Sequence, residues 1–263
     1  MMRVRVDGVG ITGPGLDGWA SAASLLRGER PYAAADMRNP APAVLAPGER
    51  RRASLAVRLA IEVASQAVTA SGLPPSRLPA VFASSDGDGD TIHSICAAIA
   101  APGYPVSPTR FHNSVHNAAA GYWSIAVGSR QASTSLCAWD DTFAVAFLDA
   151  AAQVMADGEP VLLVVSDVAA PEPLNRERPG VLPFGCAMVL SAAAAGDAAA
   201  VDLRFSAGSA PLVWPLQLPE GLTSNPAARA LLLLRAIARD EPAVVRLPYG
   251  SQAHLEMRFG ANS

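Results

Sequence analysis

The sequence predicts an α/β fold with helices on both faces of a sheet, and three stretches carry that reading. Residues 161–165, VLLVV, are an unbroken apolar run, as expected of a central strand buried on both faces. Residues 51–70, RRASLAVRLAIEVASQAVTA, space their apolar side chains as a helix does and run into Ser71-Gly72, a helix stop. Residues 133–138 read as a short buried strand that turns sharply at Trp139-Asp140-Asp141 into an apolar helix over 142–155.

Composition bounds the partners. The chain has 263 residues, 51% hydrophobic and 16% charged, enough for one large domain with its own core. The net charge is −3, and the longest basic run is Arg50-Arg51-Arg52, so nucleic acid is not an expected partner. All 20 basic residues are arginine, which carries no mechanistic weight. Cys96, Cys137 and Cys186 are far apart and odd in number, which argues against a disulfide scaffold and fits a reducing cytoplasm. The opening MMRVRVDGVGITG reads as a strand and glycine turn rather than a signal peptide. No apolar run reaches the ~18 residues of a membrane helix, so a cytoplasmic protein away from membranes is expected.

The remaining elements follow in order. Val4-Arg5-Val6 alternates into Gly8, Gly10, Gly13 and Gly15, a strand leaving into a turn, with a helix over 17–27. Gly8, Gly10 and Gly13 match a GxGxxG spacing, but Pro14 interrupts the helix start and no acidic residue closes a second strand, so no dinucleotide is expected. Residues 33–47 are a loop, and 80–84 a buried strand. Asp86, Asp88 and Asp90 alternate with glycine without the distal ligands of a calcium loop, so Asp90 or Thr91 is expected to cap a helix over 92–100. Residues 101–110 are a proline-rich loop. His112 and His116 stand four apart, but HNSVH lacks the glutamate of a zinc helix and a third ligand, so no metal is expected. A small-residue helix over 117–127 and a turn over 128–131 lead to the central strand. Beyond it, Cys186 reads as a small core residue, 201–205 as a strand, and 225–239 as a helix with Asn225 as cap and Pro226 first. Two alternating strands, 243–247 and 254–259, close the chain.

The residues around the central turn carry a resemblance. Asn117, Ala120, Gly121, Ser124, Ile125, Ala126, Gly128 and Ser133 are similar to the N-terminal half of a β-ketoacyl synthase, the condensing enzyme of the thiolase fold. Trp19 with Leu25-Leu26-Arg27-Gly28, and Arg178, Gly180, Gly185 and Ala187, fit other segments of that family. The resemblance covers residues 3–190 best and implies one truncated ketosynthase-like unit over 1–263, a layered α/β fold with a mixed central sheet. Asp140, or Asp141 after a one-residue shift, falls where the family has its nucleophilic cysteine. The catalytic histidines of the family's second half have no counterpart, and His254 lacks their context. The bland reading of both aspartates is capping of the next helix.

The resemblance therefore implies a non-catalytic subunit of the chain-length-factor type, as in type II polyketide and aryl polyene systems. Its partner would be a complete β-ketoacyl synthase served by an acyl carrier protein, with a homodimer left open and no cofactor required. In that family the strand before the elbow pairs across the dimer axis, which implies an interface at Ser133, Ser135 and Cys137. The loop with Phe111, His112, Val115 and His116 would line the partner's acyl tunnel. The residues leave two further readings. Cys137 could accept an acyl group with His112 or His116 as base and Asp140 orienting it; its bland reading is a small buried strand residue. The chain could also be a small-molecule binder that kept the fold.

Overall fold

The computed structural model of the chain describes residues 2–103 and 105–260; Met1 and 261–263, at the ends of the expected unit, lie outside the described residues. In chain order the elements are β1 (Met2–Gly13), β2 (Leu16–Asp17), α1 (Gly18–Arg27), α2 (Pro47–Arg52), α3 (Leu55–Ser71), β3 (Ala80–Ala83), α4 (Gly89–Ala100), α5 (Pro108–Asn113) and α6 (Ala118–Val127). Then follow β4 (Ser133–Leu136), α7 (Thr142–Asp157), β5 (Val161–Asp167), β6 (Phe184–Ala192), β7 (Ala200–Ala207), α8 (Glu220–Thr223), α9 (Ala230–Arg239), β8 (Ala243–Tyr249) and β9 (Ala253–Phe259). The strands form one mixed sheet in the order β4-β3-β5-β6-β1-β7-β9-β8, with β2 pairing off β1. β3 runs parallel to β4 and β5, and the other pairings are antiparallel. The expected α/β fold with a mixed central sheet is the observed one.

All seven residues of β5 are buried, and their alternation builds two cores. Val161, Leu163 and Val165 face one layer with Phe143 and Phe147 of α7 and Leu231 and Leu234 of α9. Leu162 and Val164 face the other, with Leu59, Ile61 and Val63 of α3 and Trp123 of α6. A side-chain period of two forces this division, so a run apolar at every position needs helices on both faces.

Several expectations are corrected. β1 does not end at Val6 but continues through the glycines to Gly13. Gly8 and Gly10 are there because α3 lies against the strand: a Cβ at Gly10 would stand 2.0 Å from the Val63 carbonyl oxygen, and one at Gly8 would stand 2.2 Å from that of Ala67. The GxGxxG spacing thus serves helix–strand contact. The helix expected over 51–70 is two helices, because Ser54 turns extended and accepts the Val57 N–H to start α3. Asp88, rather than Asp90 or Thr91, caps α4 by accepting the Thr91 N–H at 3.1 Å. Part of the expected loop over 101–110 is the start of α5, opened by Ser107 and Pro108. The strand expected to be buried over 133–138 is β4, the exposed to half-exposed edge of the sheet. No described helix is long and apolar enough to cross a membrane.

Candidate functional site at the strand–helix elbow

β4 ends at Leu136, and a single helical turn over Trp139–Asp141 feeds α7. The backbone is strained at Trp139, a non-glycine residue with φ of 51°. Such a conformation costs about 1–3 kcal/mol and persists only where its surroundings impose it. Thr142 imposes part of it: its hydroxyl accepts the Ala138 N–H at 3.1 Å and donates to the Trp139 carbonyl at 2.7 Å. The Arg178 guanidinium supplies the rest, lying 3.8 Å from the centre of the Trp139 ring. A cation over an indole face contributes about 0.5–2 kcal/mol.

The aspartates do not cap α7 through their side chains. Asp140 pairs with Arg178 at 2.8 Å and with Arg229 at 3.6 Å. Asp141 pairs with Arg229 at 3.1 Å and accepts the Gly250 N–H at 2.7 Å. Both arginines are largely buried, and so is Asp141, while the Asp140 side chain is half-exposed, so the Arg229–Asp141 pair is the one screened less than a surface pair. The elbow is thereby tied to the loop before β6, to the turn over Pro226–Arg229 and to the β8–β9 hairpin. The capping expectation failed because carboxylates drawn to two poorly hydrated guanidiniums leave the helix N–H groups behind.

A buried polar knot lies behind the elbow. Asp167, at the end of β5, is 3% exposed. It accepts the Ser85 N–H at 2.7 Å, the hydroxyls of Ser84 and Ser85 at 3.0 and 2.9 Å, and the Ala227 N–H at 3.1 Å. Burial pushes its carboxyl above the usual range, and the Ser85 and Ser84 donors pull back against that rise. Asn225 caps its turn as expected, accepting from Ala227 and Ala228 while donating to the carbonyls of Asp167 and Leu182. A cavity of about 260 Å³ between this knot and the elbow is lined by Ser85, Ile92, Trp139, Asp167, Val181 and Arg178, among others.

The two histidines fall on different elements. His112 is on α5, edge-on to Tyr122 at 6.1 Å between centroids, and His116 lies in the turn before α6, across from Gly87. Among the described residues, Cys137 has no hydrogen bond to either. His112 and Val115 line a groove of about 440 Å³ with Tyr122 and Ile125 of α6. Phe111, Val115 and Ile125 are 68%, 54% and 80% exposed, an apolar surface on the side of the sheet bounded by β4. Ser133 and Ser135 lie on that edge, with Cys137 just past it. Trp139 and Arg229 were missed by the sequence reading. An aromatic residue between strand and helix was a visible signal for the first, and nothing local marks the second.

Cys137 is exposed, which corrects its reading as a small buried strand residue, and Cys96 is exposed too. Cys186 is buried as expected, and burial pushes its thiol far up. Iodoacetamide should therefore modify Cys96 and Cys137 in the native chain and Cys186 only after unfolding. Peptide mass spectrometry reads this directly, and native labelling of Cys186 would contradict the packing.

Comparison with known proteins bears on this site. The family model of the β-ketoacyl synthase N-terminal domain matches residues 25–243. The fold is similar to a chain in the structure of a ketosynthase (ApeO) in complex with its chain length factor (ApeC) from Xenorhabdus doucetiae, with TM-score 0.74, 20% identity, and 98% of this chain and 100% of that chain covered. It is similar to a chain of the ishigamide ketosynthase/chain length factor, with TM-score 0.71, 14% identity, and 98% and 99% covered. A ketosynthase from module 1 of the bacillaene synthase of Bacillus amyloliquefaciens FZB42 aligns at TM-score 0.56 and 12% identity, with 81% of this chain but 47% of that one covered. No curated protein sequence matches.

Proposed function

The chain belongs to the family of β-ketoacyl synthase N-terminal domains, and from that premise we propose that it is a non-catalytic subunit of the chain-length-factor type. It pairs in the cytoplasm with a complete β-ketoacyl synthase, which an acyl carrier protein supplies, and it shapes that partner's acyl tunnel. The pathway is of the polyketide, aryl polyene or fatty-acid type. The observation that carries this reading is the elbow. Condensation needs a thiolate at the strand–helix turn, with space for a thioester beside it. That turn holds Trp139 covered by Arg178, and its two carboxylates are bound to Arg178, Arg229 and Gly250. Carboxylates held by cations are poor acyl acceptors.

The edge of the sheet supports the pairing. Residues 131–137, QASTSLC, carry no charge, no proline and no bulge, the features by which sheets protect an edge from other strands. The opposite edge, β8, contains Arg246 and Pro248. An unguarded edge flanked by exposed Phe111, Val115 and Ile125 suits a permanent partner.

The test is co-purification of the tagged chain with the complete ketosynthase encoded nearest to it, followed by mass determination and product analysis. A 1:1 complex is expected, and Phe111→Ala and Val115→Phe should shift product length in opposite directions. The exposure of Cys137 supports one alternative, an acyltransferase that uses this thiol with His112 or His116. A lone chain that takes up an acyl group on Cys137 and forms no complex would replace the proposal with that reading.

A further inference from the structure

We infer that the groove between α9, β8 and the segment before α8 docks an acidic, apolar-faced segment of a partner protein. This inference is independent of the pairing proposed at β4, because β8 is the opposite edge of the sheet. The groove encloses about 440 Å³. Its floor is aliphatic, from Leu232, Ala236 and Val245, and Val213 and Val244 stand 69% and 50% exposed along it. Its charged lining is Arg235, Arg239 and Arg246 with Glu241, a surplus of positive charge on a chain whose net charge is −3.

The arginines are not equivalent. Arg239 is bound to Glu241 at 2.7 Å, and Arg246 to Glu256 at 2.9 Å. Arg235 has no hydrogen bond or ion pair among the described residues, and its Nε is shut off from solvent without an acceptor. Glu241, the nearby carboxylate that senses Arg235, is already held by Arg239. A carboxylate arriving from outside meets the terminal nitrogens of Arg235 in the groove, which no described residue holds, with a charge-assisted bond, and the exposed valines cover the apolar face of the same segment. Nucleic acid is a poor fit, because the walls carry no aromatic ring for base stacking.

The probe is a synthetic amphipathic helix with glutamates on one face and leucines on the other, labelled for fluorescence anisotropy and titrated with the full chain. Binding should weaken steeply as salt rises from about 0.05 to 0.5 M. A glutamine-for-glutamate peptide should bind about tenfold more weakly. Val213→Glu, at an exposed position that bears on no core contact, should cost the acidic peptide about tenfold, and Val213→Lys should not. Arg235→Glu should act as Val213→Glu does, while Arg51→Glu on α2 should leave binding unchanged. Equal binding of the acidic and glutamine peptides, or indifference to Val213→Glu, would overturn the inference. Loss of self-association in the Val213→Glu chain without any peptide effect would overturn it in favour of a second copy of this chain.

Discussion

Replacing Asp167 with alanine is expected to remove about 2–4 kcal/mol of stability, the largest single loss predicted for this chain. The carboxylate accepts from Ser84, from the backbone and hydroxyl of Ser85, and from the Ala227 N–H, all deep in the structure. Alanine leaves the Ser85 N–H without an acceptor, in a place water reaches poorly, at about 1–3 kcal/mol, while the Ala227 N–H keeps Asn225 Oδ1 at 2.9 Å. The serine hydroxyls can turn away and lose less. The site joins the ends of β3 and β5 to the turn that starts α9, so those elements should separate first. Asp167→Asn keeps the shape and one acceptor but turns an amide donor toward existing donors, and an intermediate loss is expected. Urea unfolding of the three proteins measures this; an alanine variant within about 0.5 kcal/mol of the parent would contradict the buried knot.

The same residue makes a pH prediction. Burial raises the Asp167 carboxyl in the folded chain above its value in the unfolded one. The folded state therefore binds that proton more tightly, and the linked stability is full below the ordinary carboxylate range. It is lost as pH rises through the raised value. The stability advantage of the parent over Asp167→Asn should shrink as pH is raised across that window. An advantage that grows with pH would mean that the donors from Ser84, Ser85 and Ala227 outweigh burial.

Asp167 and the elbow show how far the sequence could be read. The apolar run over 161–165 announced a strand buried on both faces, because no other arrangement hides every side chain of a strand. Asp167, two residues beyond, carries no local sign of its importance, since its donors come from residues about 60 and 82 positions away. Asn225 was legible as a cap because a cap is a local event, and its bonds across to Asp167 and Leu182 were not. At the elbow, the strand-turn-helix pattern was readable, and so was the presence of aspartates in place of a thiol. That the aspartates face Arg178 and Arg229 depends on loops that only the tertiary fold brings together. Gly8 and Gly10 show the opposite error. A local pattern suggested a turn, while the cause was a helix pressed against the strand from 50 or more residues away.

Ser135→Pro should abolish pairing with the complete synthase while leaving the lone chain folded. In β4 the carbonyl of Ala132 accepts the Ala80 N–H, and that of Leu136 accepts the Ser84 N–H. The N–H and C=O of one strand residue point the same way and alternate along the chain, so residues 132, 134 and 136 bond to β3. Ser133, Ser135 and Cys137 then direct their backbone groups out of the open edge. Proline at 135 removes an outward donor and sets its ring where a neighbouring strand must approach, yet breaks no bond to β3. The loss in affinity should be about a hundredfold or more, near 3 kcal/mol, and the melting temperature of the lone chain should fall little. Thr134→Pro is the contrast, because it removes a donor to β3 and should destabilise the chain itself. Co-purification and thermal melts of the two variants separate the outcomes. If Ser135→Pro still forms the complex at parental affinity, the partner does not pair at this edge, and the exposed surface of Phe111, Val115 and Ile125 must hold it by side chains alone.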